Sequence, residues 1–268
     1  MSKVLVTDTY LTDIADSIRS KNGTQNTYKP SEMSSAIDNL PTGSGVSIDT
    51  KVRFGYSQSG ADLSFISSLD YSSETNFQGM FYYCQALTTA PTMDTSSGTN
   101  FTRMFYQCSS LATTPIINTS NATNLSGMFG YCVNLITAPS LNTSKVTSFG
   151  ELFTGCTRLT TVAKLDANKA TSIGSIFNNC TALQDLGGLE NLGQAYLTTA
   201  AANYTAYRLS LSNSNNLTYT SLMNVINNLY DIATKGCNAQ GLLLGSTNLA
   251  KLTSAEIAIA TNKGWTVS

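Results

Sequence analysis

The sequence predicts an α/β solenoid: coils of 24 residues with short parallel strands, a small helical N-terminal segment and an α/β C-terminal cap. Three observations predict it. The stretch Phe81-Tyr82-Tyr83-Cys84-Gln85-Ala86-Leu87 returns as Phe105…Cys108…Leu111, Phe129…Cys132…Leu135, Phe153…Cys156…Leu159 and Phe177…Cys180…Leu183, always 24 residues on. A fixed period of that length marks stacked repeats. The apolar positions between the copies keep the same register. Past residue 195 the period changes and amphipathic helical patterns alternate with strand patterns.

At the N-terminus, Leu11, Ile14, Ala15 and Ile18 form one apolar stripe, and Asn22-Gly23 suits a helix C-terminus. A second helix is expected from Pro30-Ser31-Glu32, with Met33, Ile37 and Leu40 as its stripe and Pro41 as its stop. Two such helices cannot bury both stripes alone, so they should pack on the repeats or on a neighbouring subunit. Thr42-Gly43-Ser44-Gly45 reads as a linker, which sets residues 1–45 apart from the repeats. Val46–Tyr56 suggests an edge strand or hairpin at the start of the repeat domain, residues 46–195. Leu63, Ile66, Leu69 and Asp70 already keep the register of Leu87, Ala90, Met93 and Asp94, so the array begins about half a repeat before the first cysteine.

Within each unit the motif leucine is followed by Ala90, Thr114, Ala138, Val162 and Leu186, then by Met93, Ile117, Leu141, Leu165 and Leu189. Pro91, Pro115 and Pro139 hold that step extended. The triplets Asp94-Thr95-Ser96, Asn118-Thr119-Ser120 and Asn142-Thr143-Ser144 are turn chemistry. Phe77, Phe101, Leu125, Phe149 and Ile173 come next, and Met80, Met104, Met128, Leu152 and Ile176 directly precede the motif phenylalanine. Each right-handed coil should therefore carry one short strand near Leu-x-x-apolar. It should carry one helical or 3₁₀ turn near Met-Phe-x-x-Cys, with coils spaced by about 4.8 Å. In residues 196–268, Tyr207–Leu211, Leu242–Leu244 and Trp265–Val267 read as strands, and Tyr219–Tyr230 and Thr253–Thr261 as helices.

The pattern Asn-Thr-Ser-x-x-Thr-x-x-x-x-Met-Phe-x-x-Cys-x-x-Leu, clearest from Asn118 to Leu135, is similar to the BspA-like leucine-rich repeats of bacterial surface proteins. The similarity runs from about residue 63 to 192, and the last units drift, with Ala163 and Gly187 in place of proline. It implies surface adhesion and recognition and carries over no catalytic residue. Leu242-x-Leu244-x-x-Thr247-x-Leu249 approximates the leucine-rich pattern, with Thr247 in the slot usually held by Asn or Cys. The ending, from Leu244 to Trp265, resembles the closing unit of similar repeat proteins in phage and prophage tails. Leu11–Arg19, Lys21–Thr24 and Tyr28–Met33 resemble a segment of tail structural proteins from phages of Gram-positive bacteria. That resemblance implies a location in a particle rather than a chemistry.

Several function classes are excluded or disfavoured. A net charge of −1 with 12% charged residues leaves no basic footprint for nucleic acid. No histidine is present, which rules out Ser-His-Asp and Cys-His machinery. No apolar run reaches 18 residues and no signal-peptide core is seen, so the expectation is a protein made in a bacterial cytoplasm without membrane insertion. The motif cysteines fall in one column with parallel Cβ vectors, wrong for both zinc and disulfides, and should form a buried ladder of small apolar groups. Cys237 is expected as a free thiol in a loop. No cofactor, metal site or catalytic residue is predicted.

The candidate ligand site lies in the two residues that the motif leaves free. These columns read Tyr82, Tyr106, Gly130, Thr154, Asn178 and Tyr83, Gln107, Tyr131, Gly155, Asn179. Tyr82, Tyr83, Tyr106, Gln107, Tyr131, Asn178 and Asn179 together suit a carbohydrate surface, stacking through the ring and hydrogen-bonding through its polar end. Subunit packing is the alternative. The strand columns, beginning at Thr88 and Thr89, offer a second, shallow face. The expectation is a non-enzymatic tail component of a phage or prophage particle that recognises a bacterial surface polysaccharide or protein. Its partners through residues 1–45 would be other particle subunits, and a homotrimer is possible. The alternatives are a bacterial surface adhesin and a purely structural virion module.

Overall fold

The computed structural model describes residues 67, 71–114, 116–195, 208–235 and 239–268. The expected N-terminal helices, linker and first strand, the half-repeat from Leu63 to Asp70, and Cys237 lie outside those residues. What is described is a repeat-type fold in which residues 24 apart sit one above another. Parallel bridges join Asn76 to Asn100, Asn100 to Asn124, Asn124 to Ser148 and Ser148 to Ser172. The rings of Phe81, Phe105, Phe129, Phe153 and Phe177 stack between coils, with centroids 5.2, 5.6, 5.8 and 5.9 Å apart and planes within 6° of parallel. Those separations exceed the strand spacing because aromatic rings prefer offset stacking. Full burial of each ring contributes on the order of 2 kcal/mol.

The Met-Phe-x-x-Cys segment corrects the sequence reading, for it contains neither helix nor 3₁₀ turn. The N–H groups of Phe77, Gly79, Phe81 and Tyr83 donate to Asn100, Thr102, Met104 and Tyr106 carbonyls of the next coil at 2.8–2.9 Å. Between them, Met80 and Cys84 N–H groups turn back to Phe77 and Phe81 oxygens. The third residue of each such turn has positive φ and the second does not, as in a type II turn. Consecutive tight turns bury Phe77, Met80, Phe81 and Cys84 together. That set has the i, i+3, i+4, i+7 spacing of a helix stripe, so the two structures give the same apolar pattern.

On the opposite side, strand pairing is complete only in the last two coils. There β1 (Thr161–Val162) pairs in parallel with β3 (Asp185–Leu186), and β2 (Leu165–Asp166) with β4 (Leu189–Glu190). Earlier coils show isolated bridges, Thr89 to Thr113 and Thr137 to Thr161. Proline accounts for part of the difference. Gly187 donates its N–H to Val162 O at 2.9 Å, a bond that Pro91 or Pro139 at the equivalent step cannot make. The triplets behave as turn caps: Asp94, Asn118, Asn142 and Asp166 side chains accept the N–H two residues on. The buried threonine of each triplet bridges to the next coil. Thr95 Oγ1 donates to Asn118 O at 3.1 Å and accepts Asn118 N–H at 2.8 Å, and Thr119 repeats this with Asn142.

The motif cysteines form no disulfide and are buried, as expected. Each thiol from Cys108 to Cys180 donates to a phenylalanine carbonyl of the preceding coil at 3.0–3.1 Å. Burial raises all four thiols well above their ordinary value, Cys180 to about 12. These groups should be inert to a disulfide reagent in the native protein and titrate only after denaturation. Because their native pKa values are raised, the stability they favour is complete below about pH 9 and is lost as pH rises from there. Urea midpoints measured from pH 7 to 11 should decline from about pH 9 upward, and a flat profile would contradict the buried ladder.

The C-terminal residues continue the stacking with longer coils. Strands β5 (Arg208–Ser210), β6 (Gln240–Leu243) and β7 (Trp265–Val267) form one parallel sheet in that order. Helix α1 (Tyr219–Asn228) follows an N-cap at Thr218 and buries Leu222, Val225 and Ile226. Its Ser221 Oγ accepts Leu186 N–H at 3.0 Å and donates to Gln184 O at 2.8 Å, which fastens it to the last repeat. Helix α3 (Ser254–Asn262) starts with a Thr253/Glu256 capping box, and Lys263 Nζ caps α1 through Ile226, Asn227 and Leu229 oxygens. The short α2 (Gly245–Leu249), not foreseen from sequence, shifts the leucine-rich slot by one residue. Thr247 is exposed, whereas buried Asn248 donates to Leu211, Ser214 and Leu244 oxygens at 3.0–3.2 Å.

Candidate functional site: a tyrosine ridge

The turn side exposes the two columns that the sequence singled out, but it does not present them as one surface. Tyr82, Tyr83, Tyr106 and Tyr131 come together. Tyr82 stacks on Tyr106 with centroids 5.4 Å apart and planes 7° from parallel. Tyr83 leans on Tyr82 at 4.8 Å, and Tyr131 meets Tyr106 edge-on at 5.4 Å and 68°. The other three candidates do not join them. The Gln107 side-chain oxygen is buried without a hydrogen-bond partner among the described residues. Asn178 and Asn179 lie toward the C-terminal coils, where Asn213 Nδ2 approaches their side-chain oxygens at 3.4 and 3.2 Å. Thr154, between the two groups, donates to Ser175 O and is buried.

Glycines make room for the rings. A Cβ on Gly130 would lie 2.7 Å from the Tyr106 ring, and one on Gly155 would lie 2.6 Å from that of Tyr131. Each tyrosine therefore lies on backbone of the following coil. This packing changes the expected mode of binding, because the facing surfaces of Tyr82 and Tyr106 are spent on each other. What reaches outward is the row of ring edges and the 39% exposed Tyr131.

Two further residues belong to the ridge and were missed in the sequence. Arg103 places its guanidinium carbon 5.3 Å from the Tyr106 ring centroid, a cation–π distance. It reaches over the neighbouring coil to Glu151, at 3.7 Å, with both side chains about half exposed. Burial first, then Glu151, raises the Tyr106 phenol. The available signal was a pair of opposite charges in one column, two coils apart, with Gly127 between them.

The ridge is also where the backbone is strained. Among the described residues, eight non-glycine residues hold positive φ: Tyr83, Gln107, Tyr131 and Asn179 in one column, Arg103, Glu151 and Ser175 in the column of Gly79 and Gly127, and Asn191 outside both. Glycine fills equivalent positions at Gly79, Gly127 and Gly155, so Tyr83, Arg103, Gln107, Tyr131 and Glu151 each carry a cost of about 1–2 kcal/mol. Strain of this kind gathers where a side chain is kept for what it does. Ser175, exposed and lacking a ring, is the control: Ser175→Gly should stabilise by about 1 kcal/mol, read as a rise of a few degrees in Tm.

On the strand side, Thr88, Thr89, Ala112, Thr113, Ile136 and Thr137 are exposed, and Ile116 is 94% exposed nearby. The same columns continue to exposed Gln184 and Asp185 in the last repeat. Among the described residues no group of His, Cys, Asp and Glu is placed to hold a metal, and no helix is long and apolar enough to cross a membrane.

Stacked coils of one sequence period, with a buried aromatic and thiol core, define a repeat protein of the BspA type. Residues 57–135 and 115–206, together more than half of the chain, match the family described as "Mycoplasma protein of unknown function, DUF285", and the chain belongs to that family. Membership fits a surface or host-interaction repeat protein. No curated protein and no solved structure matches the chain.

Proposed function

We propose that this chain is a non-enzymatic, leucine-rich-repeat-like solenoid that recognises a bacterial cell surface as a tail component of a phage or prophage particle. The tyrosine ridge carries the recognition half of this reading. Conserving turn geometry at the lowest cost would place glycine at the left-handed positions, yet this edge holds tyrosines, Arg103 and Glu151 there. The particle half is supported by the N-terminal residues that resemble tail structural proteins. In this reading residues 1–45 bind other particle subunits, and the protein resides in the virion. No paired carboxylates poised for acid–base work and no histidine stand near the ridge, which supports a binding role over an enzymatic one.

Deleting residues 1–45 tests both halves together. Loss of particle incorporation with retained binding to Gram-positive host cells is the expected result. Retained incorporation sinks the attachment role, and loss of cell binding by an otherwise folded protein sinks the recognition role. A bacterial surface adhesin is the second reading, favoured by the family match. It would use the same ridge but show residues 1–45 associated with the cell envelope instead of a particle.

A further inference from the structure

We propose that the tyrosine ridge takes a neutral, hydroxyl-rich glycan laid along the stacking direction, and not an anionic wall polymer. This rests on the recognition reading and deepens it. The ridge advances by one aromatic per coil from Tyr82 to Tyr106 to Tyr131, with centroids 5.4 Å apart at both steps. That step is comparable to the length of one pyranose residue in an extended chain. A ligand running along the stack would thus meet the same kind of group at each successive sugar.

The chemistry of what is exposed selects the ligand. Tyr82 and Tyr106 use their facing surfaces on each other and offer edges, whereas Tyr131 is the most exposed ring and the one available for stacking. The Tyr106 and Tyr131 hydroxyls, each both donor and acceptor, match the mixed donors and acceptors of sugar hydroxyls. A polyphosphate or polyuronate needs unpaired cations, and the ridge has none to give: Arg103 lies over Tyr106 and is already paired with Glu151. The Glu151 carboxylate on the same rim repels a polyanion. A protein ligand would require a broad apolar centre that these ring edges do not provide.

The test applies the intact chain to a printed array of neutral bacterial glycans and of phosphate- or carboxylate-bearing ones, at low and at high salt. Binding should fall on neutral glycans of three sugars or longer and change by less than about twofold with salt, since no charge is released. Tyr131→Ala should weaken it by about tenfold or more, while Ser175→Gly, an exposed turn position that carries no ring, should keep it within about threefold. Binding confined to anionic glycans and falling steeply with salt overturns the proposal. So does an absence of glycan binding by a chain that still binds host cells, a result that leaves the recognition reading standing. Failure to bind both glycans and cells removes that reading as well.

Discussion

Replacing Phe129 by alanine is expected to destabilise the fold by about 3–5 kcal/mol, the range for emptying a large aromatic site in a close-packed core. Phe129 is fully buried in the middle of the ring column, 5.6 Å from Phe105 and 5.8 Å from Phe153. Truncation removes stacking on both sides at once. It also leaves a void that neighbouring coils cannot close, because their backbones are fixed by the ladder from Phe129 N–H to Leu152 O and from Phe105 N–H to Met128 O. In a stacked array, stability is a sum of repeat and nearest-neighbour terms, so a defect in a central coil weakens two interfaces. Equilibrium urea unfolding should show a large fall in the midpoint. A change below about 1 kcal/mol would mean that the rings do not form the spine.

The second large effect is expected from Gly187→Ala. A Cβ at this position would lie 2.4 Å from Lys164 N, 2.9 Å from Lys164 Cα and 3.0 Å from Ala163 C, all backbone atoms that cannot step aside. The same residue donates the N–H that binds Val162 O. Forcing the coils apart here opens β1 from β3 and β2 from β4, directly beneath the helix fastened by Ser221. The expected cost is about 3 kcal/mol, at the upper end for overpacking. Hydrogen exchange should show lost protection at Leu186, Gly187 and Leu189, spreading to α1, with the ring column around Phe129 less affected. Unchanged protection would contradict the close approach of the two coils.

Much of this architecture was legible because a strict repeat makes every inference five times over. The buried columns, the Asx turn caps and the buried thiols all followed from register and residue type. Trp265–Val267 forms the strand that its alternation suggested, and α1 and α3 lie where their stripes placed them. The turn side misled because Phe77, Met80, Phe81 and Cys84 share their spacing with a helix. The discriminating sign was the glycine recurring two residues after the column of Phe77 and Leu125, as Gly79 and Gly127, where a helix interior would be weakened. Thr247 was assigned the buried slot of Asn248 because a short helix, invisible in a five-residue window, shifts the register by one.

The candidate site was half legible. Column variation found the tyrosines, but variation alone does not separate residues that gather from residues that scatter. Asn178 and Asn179 are claimed by Asn213, a residue outside the repeat period, so no column could reveal that partner. Gln107 turns its side-chain oxygen inward at the same left-handed step from which Tyr131 turns its ring outward. Arg103 and Glu151 pair across two coils, a distance of 48 in sequence that becomes a 3.7 Å separation only once stacking is known.

The recognition role of the ridge is tested most directly by the binding of fluorescently labelled intact chain to live Gram-positive host cells, beside a Tyr131→Ala variant. Tyr131 is exposed, with its ring lying on Gly155 and edge-on to Tyr106, so the variant should fold normally. Saturable binding by the parent and a loss of about tenfold or more in the variant, at matched far-UV spectra, is the predicted result. Equal binding by the two proteins would contradict the account, as would binding by neither.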